Sequence, residues 1–507
     1  MSTADTPDGT ANAGKDAHAG KDTGTDSDTA PGEENSEFRK EMGPWANFAL
    51  GFTYLSPVVS TYTLFGTALA DGGPPMIWAF VMAGCGQFLV ALVFGEVVAQ
   101  YPVAGGVYPW ARRLWGVRWA WMTGWVYMWA LLVTITSVAY GAGPYIAILL
   151  GFKPTVHTTV LCTIALIVIS VLINYAGTKA LSWAALIGFS AELLGALVVG
   201  IILLTTHRFH GLGVLFDDYG AAGDSSYLPV FLGAAIIGFY QYYGFEACGD
   251  VAEEVKHPGK VIPKAMRRTI YVGGAAATFT CLTLLLAVVD YRAVISGKDT
   301  DPVVRVLFDA LGEAGARTVM AVVLISFLSC TISLQAAAGR LIYSYARDEM
   351  IIGHRMLRKF SSARAVPPYA LLIAAVVPAL IAVGSLISED ALTKIVSFAI
   401  LGIYAAFQMV VLAALRARLK GWKPSGEYRL GRWGMVVNFG ALAYGIFAIV
   451  NIAWPRTPEA PWYDNWIVLL SGGVVVAAGL LYMFTTHHYG RSDAPADNAV
   501  PDEAGTA

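Results

Sequence analysis

Two carboxylic acids stand deep inside apolar runs: Glu192 in "GFSAELLGALVVG" and Glu246 in "YYGFEACGD". An ionisable group at the centre of a lipid-embedded helix costs about 3 kcal/mol unless it faces protein or water. Such an acid can bind an amine, tie down helix ends, or exchange a proton that removes its charge. All three roles are open for Glu246. Glu192 is a second proton-site candidate, or an interfacial acid if its span tilts. Tyr240, Tyr242, Tyr243 and Phe245 surround Glu246. Their ring faces can stabilise an ammonium group by about 1–2 kcal/mol when desolvated, or simply pack.

Gly244 and Gly249 flank the acid, and each weakens a helix by about 1 kcal/mol relative to alanine. Helix-weakening residues beside a buried acid predict a broken helix lining a cavity, where half-helix ends and free carbonyls meet a substrate. Transporters built from inverted repeats break the matching span in each half. If the core is two sets of five spans, the sixth should match the first. The first reads "FALGFTYLSPVVSTYTLFG": Pro57 lacks an N–H and clashes with the preceding turn, among the hydroxyls of Ser56, Ser60, Thr61 and Thr63. The two most interrupted spans are thus five apart.

The elements that must position these residues are membrane helices. The chain has 507 residues, 56% hydrophobic and 14% charged. Runs such as "TTVLCTIALIVISVLI" carry no charge, and about 20 apolar residues match a hydrocarbon core about 30 Å thick. Lipid leaves backbone groups unsatisfied, so spans are helices or a closed barrel, and these runs are too long for barrel strands. The sequence predicts an all-α polytopic membrane protein with twelve spans at roughly 45–70, 76–99, 119–150, 157–177, 182–206, 228–254, 266–289, 318–346, 368–387, 391–415, 434–454 and 464–486. The third is too long for a straight span and must tilt or include a loop. Four basic loops, including "KHPGKVIPKAMRR" and "RARLKGWKPSGEYRLGR", fall on one side. That side is cytoplasmic by the positive-inside rule, which places both termini there; the expected location is a plasma (inner) membrane.

Residues 1–37 read as a disordered tail without the apolar segment of a signal peptide, and 489–507 read the same way. The domain reading is a first five-helix repeat over 38–226, a second over 227–416, and two accessory helices over 417–488. No phosphate-binding loop or soluble catalytic domain is present, which argues against an ATP-driven pump and most enzymes. No cofactor, metal site or nucleic-acid partner is expected. The five cysteines lie in apolar runs without ligand spacing, and adjacent His487 and His488 lack a third ligand. Trp121, Trp125 and Trp129 form a helical stripe suited to packing or lipid contact. Glu96, Pro102, Gly105, Gly106, Arg112 and Arg113 suggest a re-entrant segment helping to close the cytoplasmic gate. Glu253 and Glu254 suggest surface or gating ion pairs beside Lys256 and Lys260.

"YYGFEACGDVAEEVKHPGKVIPKAMRR" resembles the sixth-helix signature of the amino acid–polyamine–organocation (APC) superfamily. "GEVVAQYPVAGGVYPWARRLWG" resembles that superfamily's loop after helix 2, and "SCTISLQAAAGRLIYSYARDEMI" its helix 8. "GEYRLGRWGMVVN" is similar to its loop before helix 11. Together the matches span about 45–485, and the chain is most similar to the amino acid/choline permease branch.

The resemblance implies a LeuT-type fold: a 5+5 inverted repeat with discontinuous helices 1 and 6, plus two accessory helices. It implies a secondary transporter of amino acids or small amines, working by alternating access. The substrate site would lie between Ser56, Pro57, Val58, Val59, Ser60 and Thr61 on one side and Tyr240, Tyr243, Gly244, Phe245 and Glu246 on the other. Tyr240, four residues before the glycine, would be the gating aromatic. The sequence departs from many amino acid members by lacking a Gly-x-Gly cluster in helix 1, where bare N–H groups hold the substrate carboxylate. Choline or a polyamine is therefore a substrate class beside amino acids. Glu192 and Glu246 favour protons as the coupling ion. Ser326, Ser329, Thr331 and Ser333 leave sodium open, as are substrate exchange and a transport-inactive ligand sensor.

Overall fold

The computed structural model describes residues 38–224, 226–387, 391–456 and 459–499. The expected N-terminal tail, 1–37, lies outside the described residues. Apart from two isolated bridges, Met42 with Val255 and Ser361 with Val366, the regular structure described is helical. Among the described residues, ten helices are long and apolar enough to cross a membrane, and two shorter apolar ones, Tyr227–Gln241 and Pro368–Gly384, complete the twelve expected spans. The arrangement is consistent with a LeuT-type protein.

The first span is two helices, Pro44–Leu55 and Pro57–Gly72. The second is Trp78–Gln100, the third Val117–Leu149, the fourth Val156–Tyr175 and the fifth Thr178–Thr206. The sixth is broken into Tyr227–Ala234, Ile236–Gln241 and Ala247–Asp250. The seventh joins Pro258–Arg268 to Gly274–Ala287 through a wide turn. The eighth is Pro302–Arg347, the ninth Pro368–Gly384 and the tenth Ala391–Leu419. The eleventh is Gly434–Ala453 and the twelfth Ile467–Thr486.

Two boundaries differ instructively from the sequence reading, and the third span settles between the alternatives it left open. The third span is one helix of 33 residues with no internal loop; at 1.5 Å per residue it reaches about 50 Å, so it tilts or projects beyond the hydrocarbon. The eighth begins at Pro302, not near 318, and turns a corner at Gly312, whose φ is 65°. Asp309, Glu313 and Arg317 make that first stretch too polar to read as a span. Residues 489–499, expected to belong to a disordered tail, lie instead against the segment between the second and third spans. Asp497 N–H donates to the Arg112 carbonyl (2.9 Å) and Ala499 N–H to that of Arg113 (3.2 Å).

The first span packs on the fifth, seventh and eighth, and the third on the fourth, eighth and tenth. Side chains such as Leu161, Trp183, Leu194, Leu372 and Leu481 are exposed on the outer faces, as lipid contact requires. The tryptophan stripe is a packing seam: Trp121 and Trp125 stack on Tyr482 of the twelfth span. Residues 101–116 fold back into the bundle and include a short, mostly buried helix, Val107–Trp115.

Candidate functional site

The first-span break is one residue wide. Ser56 adopts φ 40°, ψ 92°, and Pro57 starts the next helix at a position where its missing N–H costs nothing. The Ser56 hydroxyl accepts from Val59 N–H (3.2 Å) and donates to Glu192 Oε1 of the fifth span. The same carboxylate oxygen accepts the N–H of Val58 (3.1 Å). Glu192 therefore occupies the positive end of the helix Pro57–Gly72, where a carboxylate is favoured by oriented N–H groups. Its other oxygen, Oε2, has no hydrogen-bond partner among the described residues. Glu192 also lines an apolar cavity of about 340 Å³ with Val58, Tyr62, Val199, Val323 and Ser326.

The sixth-span break runs from Tyr242 to Glu246. Gly244 holds φ 106° and passes so close to the first span that a Cβ there would sit 2.6 Å from the Leu55 nitrogen. Only glycine permits both the dihedral and the approach. Glu246 Oε2 accepts the freed Gly244 N–H (2.7 Å), and its Oε1 lies 3.2 Å from the Tyr127 hydroxyl of the third span. The same arrangement thus appears twice: a buried carboxylate bonded to a peptide N–H at a helix break.

The two breaks are tied to each other. The Ser60 hydroxyl donates to Gln241, and Gln241 Nε2 reaches the Leu55 carbonyl (3.4 Å). Asn47 Nδ2 donates to the Cys248 carbonyl (2.9 Å). The structure brings Ser56 through Thr61 and Tyr240 through Glu246 into one closely packed region, all buried. Tyr54, Tyr243 and Tyr240 form a chain of edge contacts across it, with centroids 6.1 and 5.3 Å apart. Val58 and Val59 contribute apolar wall. The Thr61 hydroxyl is turned onto its own helix, at the Pro57 carbonyl (2.8 Å). Phe245 packs with Phe94 and Phe407 of the second and tenth spans, which anchors the break. In the eighth span, Ser326, Ser329 and Thr331 donate to carbonyls of their own helix, while Ser333 meets Thr53 at 2.9 Å.

Both ends of the region are closed. Tyr240 meets Ser137 of the third span (3.1 Å). At the basic-loop end, Glu254 and Arg340 form a fully buried ion pair at 2.8 Å, and Thr178 donates to the same carboxylate (2.6 Å). Glu253 pairs with Arg347 (3.1 Å) and accepts the Ala104 N–H. Arg112 pairs with Asp348 (3.2 Å) and donates to the Ala494 carbonyl (2.7 Å). The acids expected beside Lys256 and Lys260 thus turn inward to arginines of the eighth span. Glu96 turns inward too, bonding Arg418 and the Leu430 N–H.

Sequence reasoning missed Asn47, Tyr127, Gln241, Asp250 and Arg340. Asp250, one turn after Glu246, carried a readable signal, being a second acid in the same run. The others become informative only once distant spans are brought together.

The profile of the amino acid permease family matches residues 42–478. The amino-acid permease BAT1 of Arabidopsis thaliana is 24% identical over 484 residues, covering 89% of this chain and 93% of the relative. A putative amino acid/polyamine transporter of Macrophomina phaseolina is 25% identical over 438 residues, covering 80% and 93%. The GABA-specific permease of Saccharomyces cerevisiae is 20% identical over 487 residues, covering 92% and 85%.

Proposed function

Because the chain belongs to the amino acid permease family, a family of multi-pass membrane transporters, we propose that it imports a small amino acid or amine, driven by protons, by alternating access. In this reading two inverted five-helix repeats meet at the two breaks. The substrate lies between Ser56–Thr61 and Tyr240–Glu246, Tyr240 gates the outer side, and the basic loops and both termini face the cytoplasm of the plasma (inner) membrane.

One observation carries the proton reading: Glu192 bonds Ser56 and Val58 at the helix end best suited to a substrate carboxylate. Two carboxylates cannot share that end as anions. Protonation of Glu192 weakens its hold on the N–H group and removes the repulsion. Carboxylate binding and proton binding therefore favour one another, and this coupling is reciprocal. Glu246 and the tyrosine faces supply the complement for the substrate ammonium.

The same observation supports a second reading. With the helix end already held by a carboxylate, a cation lacking a carboxylate, such as choline or a polyamine, needs no proton at Glu192. Sodium coupling or exchange would then drive transport.

The test is uptake by purified protein in liposomes, in sodium-free buffer, of labelled amino acids, γ-aminobutyrate, choline and putrescine, with and without an inward proton gradient. Gradient-driven accumulation of a zwitterion supports the first reading. Gradient-independent uptake of choline or putrescine supports the second. Glu246→Gln is expected to abolish coupled uptake while the protein still folds. Unchanged transport and pH dependence in that variant would remove Glu246 from the mechanism.

A further inference from the structure

We propose that Asp250 is a second proton-carrying residue of the transport cycle, sharing one proton with Glu246 through the hydroxyl of Tyr127. The proposal rests on the proton-coupled reading above. It assigns that coupling a second site, displaced from the substrate region toward the basic-loop end.

Asp250 follows Glu246 by one helical turn, and both are fully buried. The Tyr127 hydroxyl lies 3.2 Å from Glu246 Oε1 and 3.2 Å from Asp250 Oδ2. A phenol has one hydrogen, and an ionised carboxylate only accepts. Tyr127 can donate to one of the two acids; its contact with the other is a hydrogen bond only if that acid is protonated and donates to the phenol oxygen. The geometry is satisfied with one proton on the pair, and with both acids ionised one of the two contacts is lost.

Among the described residues, no cation is hydrogen-bonded to either acid of the pair. Arg340 is within electrostatic reach of Asp250, but its guanidinium is committed to Glu254 through Nε (2.8 Å) and Nη2 (3.2 Å). The other titratable groups facing the pair are the Tyr54 phenol of the first span, which senses both acids, the Cys248 thiol beside Glu246 and the Tyr404 phenol of the tenth span. None of them is a cation at any working pH.

The two acids face different neighbours. Glu246 holds the Gly244 N–H at the break. Asp250 lies under the re-entrant segment. Its carbonyl accepts the Gly105 N–H (3.0 Å), and a Cβ added to Gly106 would fall 2.2 Å from Oδ1. That oxygen has no hydrogen-bond partner among the described residues. Withdrawal of residues 101–106 would open Asp250 to water before Glu246. Transfer then balances as follows: the Glu246 O–H bond breaks as the proton passes to Tyr127 Oη, and the phenol's own hydrogen passes to Asp250 Oδ2. Tyrosine is neutral before and after, and the negative charge moves from Asp250 to Glu246.

The test uses full-length protein in liposomes and whichever of labelled alanine, γ-aminobutyrate, choline or putrescine the wild type accumulates. Two modes are compared: accumulation driven by a proton gradient, and counterflow between equal pools of the same compound, which needs no net proton movement. Asp250→Asn is expected to keep counterflow within about threefold of wild type while driven accumulation falls at least tenfold, with Asp250→Glu restoring it. Tyr127→Phe should give the same split, and carries the test if Asp250→Asn is not monodisperse. Wild-type accumulation and pH profile in both variants would overturn the proposal. Equal loss of counterflow and accumulation in well-folded variants would overturn it too, since that marks a structural role. A wild type that ignores the proton gradient would instead overturn the proton-coupled reading itself, and this assignment with it.

Discussion

Replacing Glu254 by glutamine should unlock the basic-loop end of the transporter. In the structure Arg340 is paired with Glu254 at 2.8 Å, with both side chains withdrawn from solvent. Removing one partner of a buried pair leaves an uncompensated charge and costs about 3–5 kcal/mol. A state open at this end would hydrate Arg340, so the penalty falls on the closed state alone. At about 1.4 kcal/mol per tenfold, the open-to-closed ratio should rise by about 10²- to 4 × 10³-fold. The chain carries its own reporter. Cys248 is fully buried, with its sulfur against Asn47 and Gly51 of the first span and Thr269 of the seventh. In a Cys85→Ala background, which removes the exposed thiol, labelling of Cys248 by a water-soluble maleimide should accelerate by that order of magnitude in Glu254→Gln. The double variant Glu254→Gln/Arg340→Met, which buries no charge, should label close to the wild-type rate. Labelling within twofold of wild type in a well-folded Glu254→Gln protein would refute the idea that this pair holds the end closed.

Other expectations follow from the same geometry. Gly244→Ala forces a side chain into a positive-φ position and against the Leu55 backbone; strain and overpacking together cost about 2–6 kcal/mol, read as a lower melting temperature in detergent and lost uptake. Tyr240→Phe loses the contact with Ser137 but keeps the ring, so transport should change only a few-fold, a hydrogen bond being worth about 1 kcal/mol, whereas Tyr240→Ala should leak or fail. Glu192→Gln keeps an acceptor for Ser56 and Val58 but cannot exchange a proton. Its uptake should lose its dependence on pH, and a pH profile identical to wild type would move the coupling site elsewhere. Arg112→Ala removes ties to Asp348 and Ala494 at once and should increase protease sensitivity after residue 487.

The spans and both breaks were legible because membrane burial writes itself into runs of about 20 apolar residues, and because proline, glycine and acids are conspicuous inside them. Glu192 and Glu246 were visible for that reason. What Glu192 touches was not. Its partner Ser56 lies 136 residues away, and nothing local to either residue fixes the rotation of the fifth span against the first. Ser56 also conceals its backbone. A glycine would have announced the positive φ, whereas serine holds that conformation through tertiary bonds. That Glu253 and Glu254 make ion pairs is legible from their place beside a basic loop, but which cations they meet is not. The structure pairs them with Arg347 and Arg340, roughly ninety residues on. Asp250 was legible as an acid but not as half of a pair, because the hydroxyl joining it to Glu246 comes from the third span.

The eighth span touches each part that alternating access would move. Cys330 reaches the Tyr54 carbonyl (3.3 Å), Ser333 meets Thr53, and Arg340 and Arg347 hold Glu254 and Glu253. Just past its end, Asp348 holds Arg112. A proteolytic peptide covering residues 329–348 would therefore be a single recorder for such a cycle. Its deuterium uptake would show in what order the first span, the sixth span and the re-entrant helix let go, without a label attached anywhere else on the protein.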